Sequence, residues 1–210
     1  MDILLEKLGR RYNRQWIFSN LSIGFHSPGS YAILGPNGSG KSTLLQILSG
    51  NLSPSEGKIE FREPEGVLSI EKVYQKISYS APYLEIPQEF TVNEFFDFHF
   101  GLKGLHPMVR LDKILEDSGI QSQKKKRIKD LSTGVQQRVK LISAFGSNSQ
   151  VVILDEPTAN LDESGKNWFI QTFKELSPSR LFFMGSNIPS EFEICENQLN
   201  ISDFKTRNQA

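Results

Sequence analysis

The residues best suited to chemistry form one run, Gly35-Pro36-Asn37-Gly38-Ser39-Gly40-Lys41-Ser42-Thr43. Its glycines let the backbone curl so that successive N–H groups point inward. A helix starting at the lysine adds partial positive charge, so the run is suited to cradle nucleotide phosphates. Lys41 is expected to reach the β- and γ-phosphates, and the Ser42 hydroxyl to bind Mg²⁺. A second set is Asp155-Glu156, which closes the apolar run Val151-Val152-Ile153-Leu154. A carboxylate at the C-terminal end of a parallel strand lies beside such a loop. Asp155 is then placed to hold Mg²⁺ through water. Glu156 is placed to take a proton from the water that attacks the γ-phosphate.

The elements that must position these groups are legible around them. Tyr31-Ala32-Ile33-Leu34 reads as a buried strand, and Leu44, Leu45, Ile47 and Leu48 recur at helical spacing until Gly50. Residues 1–30 read as short strands with turns, and Lys58-Ile59-Glu60-Phe61 alternates as a half-buried strand. From about residue 90 to 145 the pattern is helical, opened by the capping box Thr91-Val92-Asn93-Glu94. Later helical stretches carry Leu111, Ile114 and Leu115, then Val135, Val139, Ile142 and Phe145. After residue 150, strand and helix alternate again: Val151–Leu154, a helix with Trp168, Phe169, Phe173 and Leu176, the strand Leu181–Met184, and a last strand near Gln198-Leu199-Asn200-Ile201. Uninterrupted apolar strands of this kind belong in a parallel sheet covered on both faces.

Composition narrows the class. The 210 residues suffice for one domain with an inserted subdomain. Lys+Arg and Asp+Glu are equal at 24 each, which gives no electrostatic reason to expect nucleic acid as a partner. The run Lys124-Lys125-Lys126-Arg127 reads as a solvated face. The single cysteine, Cys195, reads as a small buried apolar residue, and a reducing compartment fits. No apolar run approaches the ~20 residues of a membrane-spanning helix. Any membrane role is therefore expected from another polypeptide.

Leu131-Ser132-Thr133-Gly134-Val135-Gln136-Gln137-Arg138 resembles the signature of ATP-binding-cassette ATPases, whose usual form is L-S-G-G-Q followed by Q-R. Asp155-Glu156-Pro157-Thr158-Ala159-Asn160-Leu161-Asp162 is similar to the family's second Walker motif run into its D-loop. The resemblance implies an α/β P-loop NTPase core with a mixed or parallel sheet, an N-terminal antiparallel β subdomain and an inserted helical subdomain. The chain is then a single domain over 1–210, with the core at about 1–85 and 150–205 and the helical signature subdomain at about 86–149. It also implies a head-to-tail pair of subunits, identical or not, that sandwiches two ATP molecules with Mg²⁺. Ser132, Gly134 and Gln136 would face the γ-phosphate held by the other subunit, Asp162 would serve the D-loop, and Tyr12 would stack on adenine. An integral membrane permease is the implied further partner, with the subunit cytoplasmic and peripheral on the inner face of the membrane.

The sequence departs from the family pattern in three places. Thr133 and Val135 replace signature residues. Pro82 stands where the family's Q-loop glutamine should follow Ile77-Ser78-Tyr79-Ser80-Ala81; Gln88 lies close in sequence but is not expected to take that role, since Mg²⁺ ligand geometry is strict. No histidine follows the 181–184 strand. The sequence there reads Gly185-Ser186-Asn187, which puts Ser186 at the switch position and leaves Ser186 or Asn187, neither of them positively charged, to hydrogen-bond the γ-phosphate. Slow hydrolysis with retained binding is the expectation. Two other readings stay open: a soluble, non-transport ATPase of the iron–sulphur assembly type, and a weakly hydrolysing regulatory cassette. Phe95, Phe96, Phe98 and Phe100 cannot share one helix face; they are expected to lie mostly in the core, with a partly exposed permease-docking groove as the other reading.

Overall fold

The computed structural model describes residues 1–205. A parallel sheet carries the molecule, with strand order β6 (Ile77–Ser80), β7 (Val151–Asp155), β8 (Leu181–Gly185), β3 (Gly29–Leu34) and β9 (Asn197–Asn200). β7 and β8 are buried at every position. Their side chains alternate between two cores. Val152, Leu154, Phe182 and Met184 face one; Val151, Ile153, Leu181 and Phe183 face the other. This is the packing that uninterrupted apolar strands require.

The first core lies against α3 (Val92–Lys103), α4 (Leu111–Asp117), α5 (Thr133–Gly146) and α6 (Glu163–Leu176). Phe145, Phe169, Phe173 and Phe182 pack ring against ring within it. Each such buried aromatic contributes about 1.5–3 kcal/mol. The second core is closed by α1 (Lys41–Leu48), the short α2 (Ile70–Lys76) and an antiparallel sheet, β2-β1-β4-β5.

The N-terminal region departs from the short strands expected of it. β1 (Asp2–Tyr12) and β2 (Gln15–Phe25) are each eleven residues long. Irregularities in register between Leu5 and Leu8, with Lys7 at φ 47°, break the alternation that would have revealed their length. β4 (Glu56–Glu63) and β5 (Gly66–Leu68) complete that sheet. Elsewhere the local signals hold. Thr91 and Glu94 exchange the capping-box hydrogen bonds at 3.3 and 2.8 Å, and Gly50 follows α1 at φ 78°. A short α7 (Pro189–Phe192) follows β8.

The phenylalanine run divides. Phe95 and Phe96 are buried and Phe100 is half-buried, stacked on Phe96; Phe98 is exposed. Phe96 therefore belongs to the core and not to a docking surface.

Candidate functional site

Four neighbouring parallel strands end along one edge of the sheet, and each delivers a loop there: β3 the glycine run, β7 Asp155-Glu156, β8 Gly185–Asn187, and β6 the segment reaching Tyr83. The carboxyl edge of such a sheet is where a phosphate ligand is held.

The glycine run curls around Lys41, which is buried and donates from Nζ to the Gly35 carbonyl at 2.8 Å and to Pro36 O at 3.4 Å. Gly40 shows why the run needs glycine: it sits at φ 109°, and a Cβ there would lie 2.4 Å from Ile17 Cγ2. Asn37, Gly38, Gly40, Lys41, Ser42, Thr43, Ile17 and Glu156 line one cavity of about 200 Å³. Burial lowers the Lys41 pKa, while the nearby Glu156 and Asp155 charges work to raise it.

Asp155 is buried, and its Oδ1 has no hydrogen-bond partner among the described residues; nor has Ser39 Oγ. A buried carboxylate oxygen left free is costly unless a cation or its water completes it. Mg²⁺ suits the chemistry of this donor, and Ser42, which lines the same cavity as Lys41, would supply a second oxygen. Asp155 Oδ2, in contrast, accepts from the Tyr83 hydroxyl at 3.1 Å, with the Tyr79 hydroxyl at 3.5 Å. The two phenol oxygens lie 2.6 Å apart. Burial raises both phenol pKa values; for Tyr79 the bond to Tyr83 and the Asp155 charge add to the rise. Both therefore stay protonated donors at neutral pH.

Glu156 is exposed on the rim, in a left-handed conformation (φ 45°), with its N–H donating to Gly185 O at 2.8 Å. The strand β8 thus fixes the backbone of the acidic pair. The Ser186 hydroxyl is buried and accepts from the Ile188 N–H at 3.0 Å, so it shapes the turn. The side chain that reaches the glycine run is Asn187, whose amide donates to Asn37 Oδ1 at 2.9 Å. Gln88 is also no ligand here: it is exposed and donates to Ile86 O at 3.0 Å.

The signature segment starts α5 with Ser132 as N-cap, its Oγ accepting from Val135 N–H at 3.4 Å. A Cβ on Gly134 would lie 2.7 Å from Asn160 O, so glycine permits the D-loop to press on the helix start. Gln136 is turned inward, donating to Ile128 O and Leu131 O at 3.1 and 3.2 Å. Its amide nitrogen braces the preceding loop. Gln137 donates to Pro157 O at 2.9 Å, and Arg138 pairs with Asp162. Asp162 also caps α6 through Gly165 N–H at 2.9 Å, and that bond, with Arg138, lowers its pKa. Ser132 and Gly134 do not line the cavity around Lys41. Tyr12 is exposed at the β1–β2 hairpin, with the Arg10 guanidinium 4.6 Å from its ring centre.

The remaining groups are structural. In the basic run Lys124 pairs with Asp112 at 2.8 Å and Arg127 with Glu89 at 3.7 Å, and Lys125 and Lys126 are exposed, as a solvated face would be. Burial pushes the Cys195 thiol up to about 12. His26, His99 and His106 contact Asp2, Ser147 and the Met108 N–H, away from the cavity.

Fold and site together define a P-loop nucleotide-binding cassette with an inserted signature helix. The family model described as ABC transporter matches residues 18–159, and the chain belongs to that family. It is 32% identical over 197 residues to the uncharacterized ABC transporter ATP-binding protein YxlF of Bacillus subtilis, covering 91% of this chain and 65% of that protein. It is 33% identical over 177 residues to a probable metal transport system ATP-binding protein of Thermotoga maritima, covering 82% of this chain and 68% of that one. The chain thus spans about two thirds of the length of these relatives. A dimeric ATP-binding cassette in a post-hydrolysis state, bound to ADP and phosphate, shares the fold at TM-score 0.83 and 20% identity, over 98% of this chain and 97% of that one.

Proposed function

We propose that the protein binds and hydrolyses ATP and, paired with a second cassette, powers a separate membrane permease. The observation that carries this reading is the single cavity shared by Lys41, Ser42 and Glu156, with the free Oδ1 of buried Asp155 at the end of the adjoining strand. Lys41 meets the β- and γ-phosphates. The glycine run's N–H groups, from Gly35 through Thr43, wrap the phosphate chain. Glu156 accepts a proton as the water oxygen bonds to the γ-phosphorus and the bridging oxygen leaves with ADP. Bound Mg²⁺, held by Ser42 and through Asp155, would neutralise phosphate charge. Ser132 and Gly134, absent from their own chain's cavity, offer a helix N-terminus to the phosphate of a facing subunit. Tyr12 offers an exposed ring to adenine.

The permease reading draws support from the groove between α2 and α3. It is about 630 Å³ and lined by Tyr74, His99, Leu102 and Asn148, among others, with Tyr74 and Leu102 well exposed. The subunit itself has no helix among the described residues long and apolar enough to cross a membrane. It would lie on the cytoplasmic face, held by its permease. Phosphate release from ATP by the purified chain, with Lys41→Ala as control, tests the enzymatic half. Membrane co-fractionation on co-expression with the permease tests the other half. Leu102→Asp should release a folded subunit, whereas Phe96→Asp should unfold it by burying a charge. Full solubility beside the permease would favour the soluble, non-transport reading.

A further inference from the structure

We propose that Tyr83, supported by Tyr79, positions the Asp155 carboxylate for Mg²⁺ and ties it to the signature helix. The inference rests on the ATP-binding reading above.

Tyr83 lies on the loop that leaves β6, and three groups converge on its hydroxyl. These are Asp155 Oδ2 at 3.1 Å, the Tyr79 hydroxyl at 2.6 Å, and Gln46 of α1, the helix that begins at Lys41. The shortest chain of donors runs from Tyr79 to Tyr83 to Asp155, one proton for each bond. With Oδ2 held, Oδ1 is presented in one orientation, and it is the oxygen that no group among the described residues satisfies. A phenol is a neutral donor, so it orients the carboxylate without cancelling the charge a cation needs. Packing alone does not account for Tyr83, whose side chain is half-exposed.

The same loop is held at its other side. The Pro82 carbonyl accepts from Lys140 Nζ at 2.6 Å, and Lys140 stands on α5, the helix capped by Ser132. A bond from Leu84 N–H to Ala81 O at 3.2 Å keeps the turn tight. A shift of α5 is thus passed through Pro82 to the phenol on Asp155. The loop connects the cation site to the helical subdomain with residues other than the expected glutamine.

The test uses the full chain and a fluorescent ATP analogue, titrated first in EDTA and then with Mg²⁺ at fixed analogue. Tyr83→Phe keeps the ring and removes the donor. It should leave affinity in EDTA unchanged and raise the Mg²⁺ concentration needed for half-saturation by about 10-fold, as loss of a partner that orients a metal ligand does. Tyr79→Phe should have a smaller effect. The double variant should fall well short of additivity, because Tyr79 acts chiefly through Tyr83 and only at long range on Asp155 itself. Lys140→Met should weaken the Mg²⁺ response by less than Tyr83→Phe. Unchanged Mg²⁺ dependence in Tyr83→Phe, with analogue binding intact, overturns the inference alone. Fully additive effects overturn the relay order. Failure of the unsubstituted chain to bind the analogue overturns the ATP reading instead.

Discussion

Two pairs of strand ends share one sheet edge but differ in how far they follow the family pattern. β3 and β7 bring the glycine run, Lys41, Asp155 and Glu156 in full. β6 lies outside β7 and β8 lies between β7 and β3, and at their ends Tyr79 and Tyr83 in one case and Asn187 in the other stand where the family pattern has a glutamine and a histidine. The difference separates two tasks. In the proposed function, holding phosphate and supplying a base falls to contiguous motifs, whereas orienting the carboxylate and bridging to the glycine run falls to side chains from distant positions. The first task tolerates little change, because backbone N–H groups must converge on phosphate. The second needs only a donor at the right place, and several residue types can provide one.

Changes to β3 and β7 should cost most. Glu156→Gln should lower turnover by about 10²–10⁴ while ATP binding persists, the usual loss for a positioned base. Single-turnover phosphate release beside analogue binding would show it, and an unchanged rate would move the base elsewhere. Lys41→Ala should weaken ATP binding by about 10- to 150-fold, because it removes a charge-assisted donor worth roughly 1.5–3 kcal/mol. The same lysine sets a pH dependence. Its protonated form binds phosphate and its pKa is lowered by burial, so ATP affinity should fall as pH rises, beginning below the usual lysine value of 10.5. Affinity flat through that range would contradict the lysine contact. On the β8 side the effect should be smaller and of opposite sign. Asn187→His puts an imidazole where a side chain already reaches the glycine run. A donor to developing charge worth about 1–3 kcal/mol would raise turnover roughly 5- to 150-fold. Position 186 is the wrong seat for that exchange, because Ser186 is buried and its hydroxyl is used by the turn. A drop in rate for Asn187→His would mean the Asn187–Asn37 bridge is itself part of the working site.

What the sequence made legible follows the same division. The glycine run, the acidic pair, the signature and the capping box are each contiguous, so their chemistry can be read from spacing. The Tyr83–Asp155 bond joins residues 72 apart and the Asn187–Asn37 bond residues 150 apart, and only strand order brings them together. No local pattern marks Tyr83 as different from a surface aromatic. Between Ser186 and Asn187 the sequence does not choose; the turn after β8 rotates the Ser186 hydroxyl inward and leaves Asn187 facing the loop. Gln136 shows the same gap between type and placement: nothing in the sequence marks that its amide nitrogen is held by the Ile128 and Leu131 carbonyls. The bulged N-terminal strands were under-read because alternation is lost where the register shifts.

The central claim is that the site is complete only when a second cassette brings Ser132 and Gly134 to the phosphate that Lys41 holds. Sedimentation of the Glu156→Gln variant with and without ATP tests it most directly, since slowed hydrolysis preserves the closed state. The account predicts a monomer without ATP and a particle of about twice the mass with it. A bulky charge in Ser132→Arg, added to the same variant, should abolish the shift while ATP binding to each chain remains. An ATP-saturated monomer, from a wild-type chain whose turnover per subunit does not change with protein concentration, would contradict it.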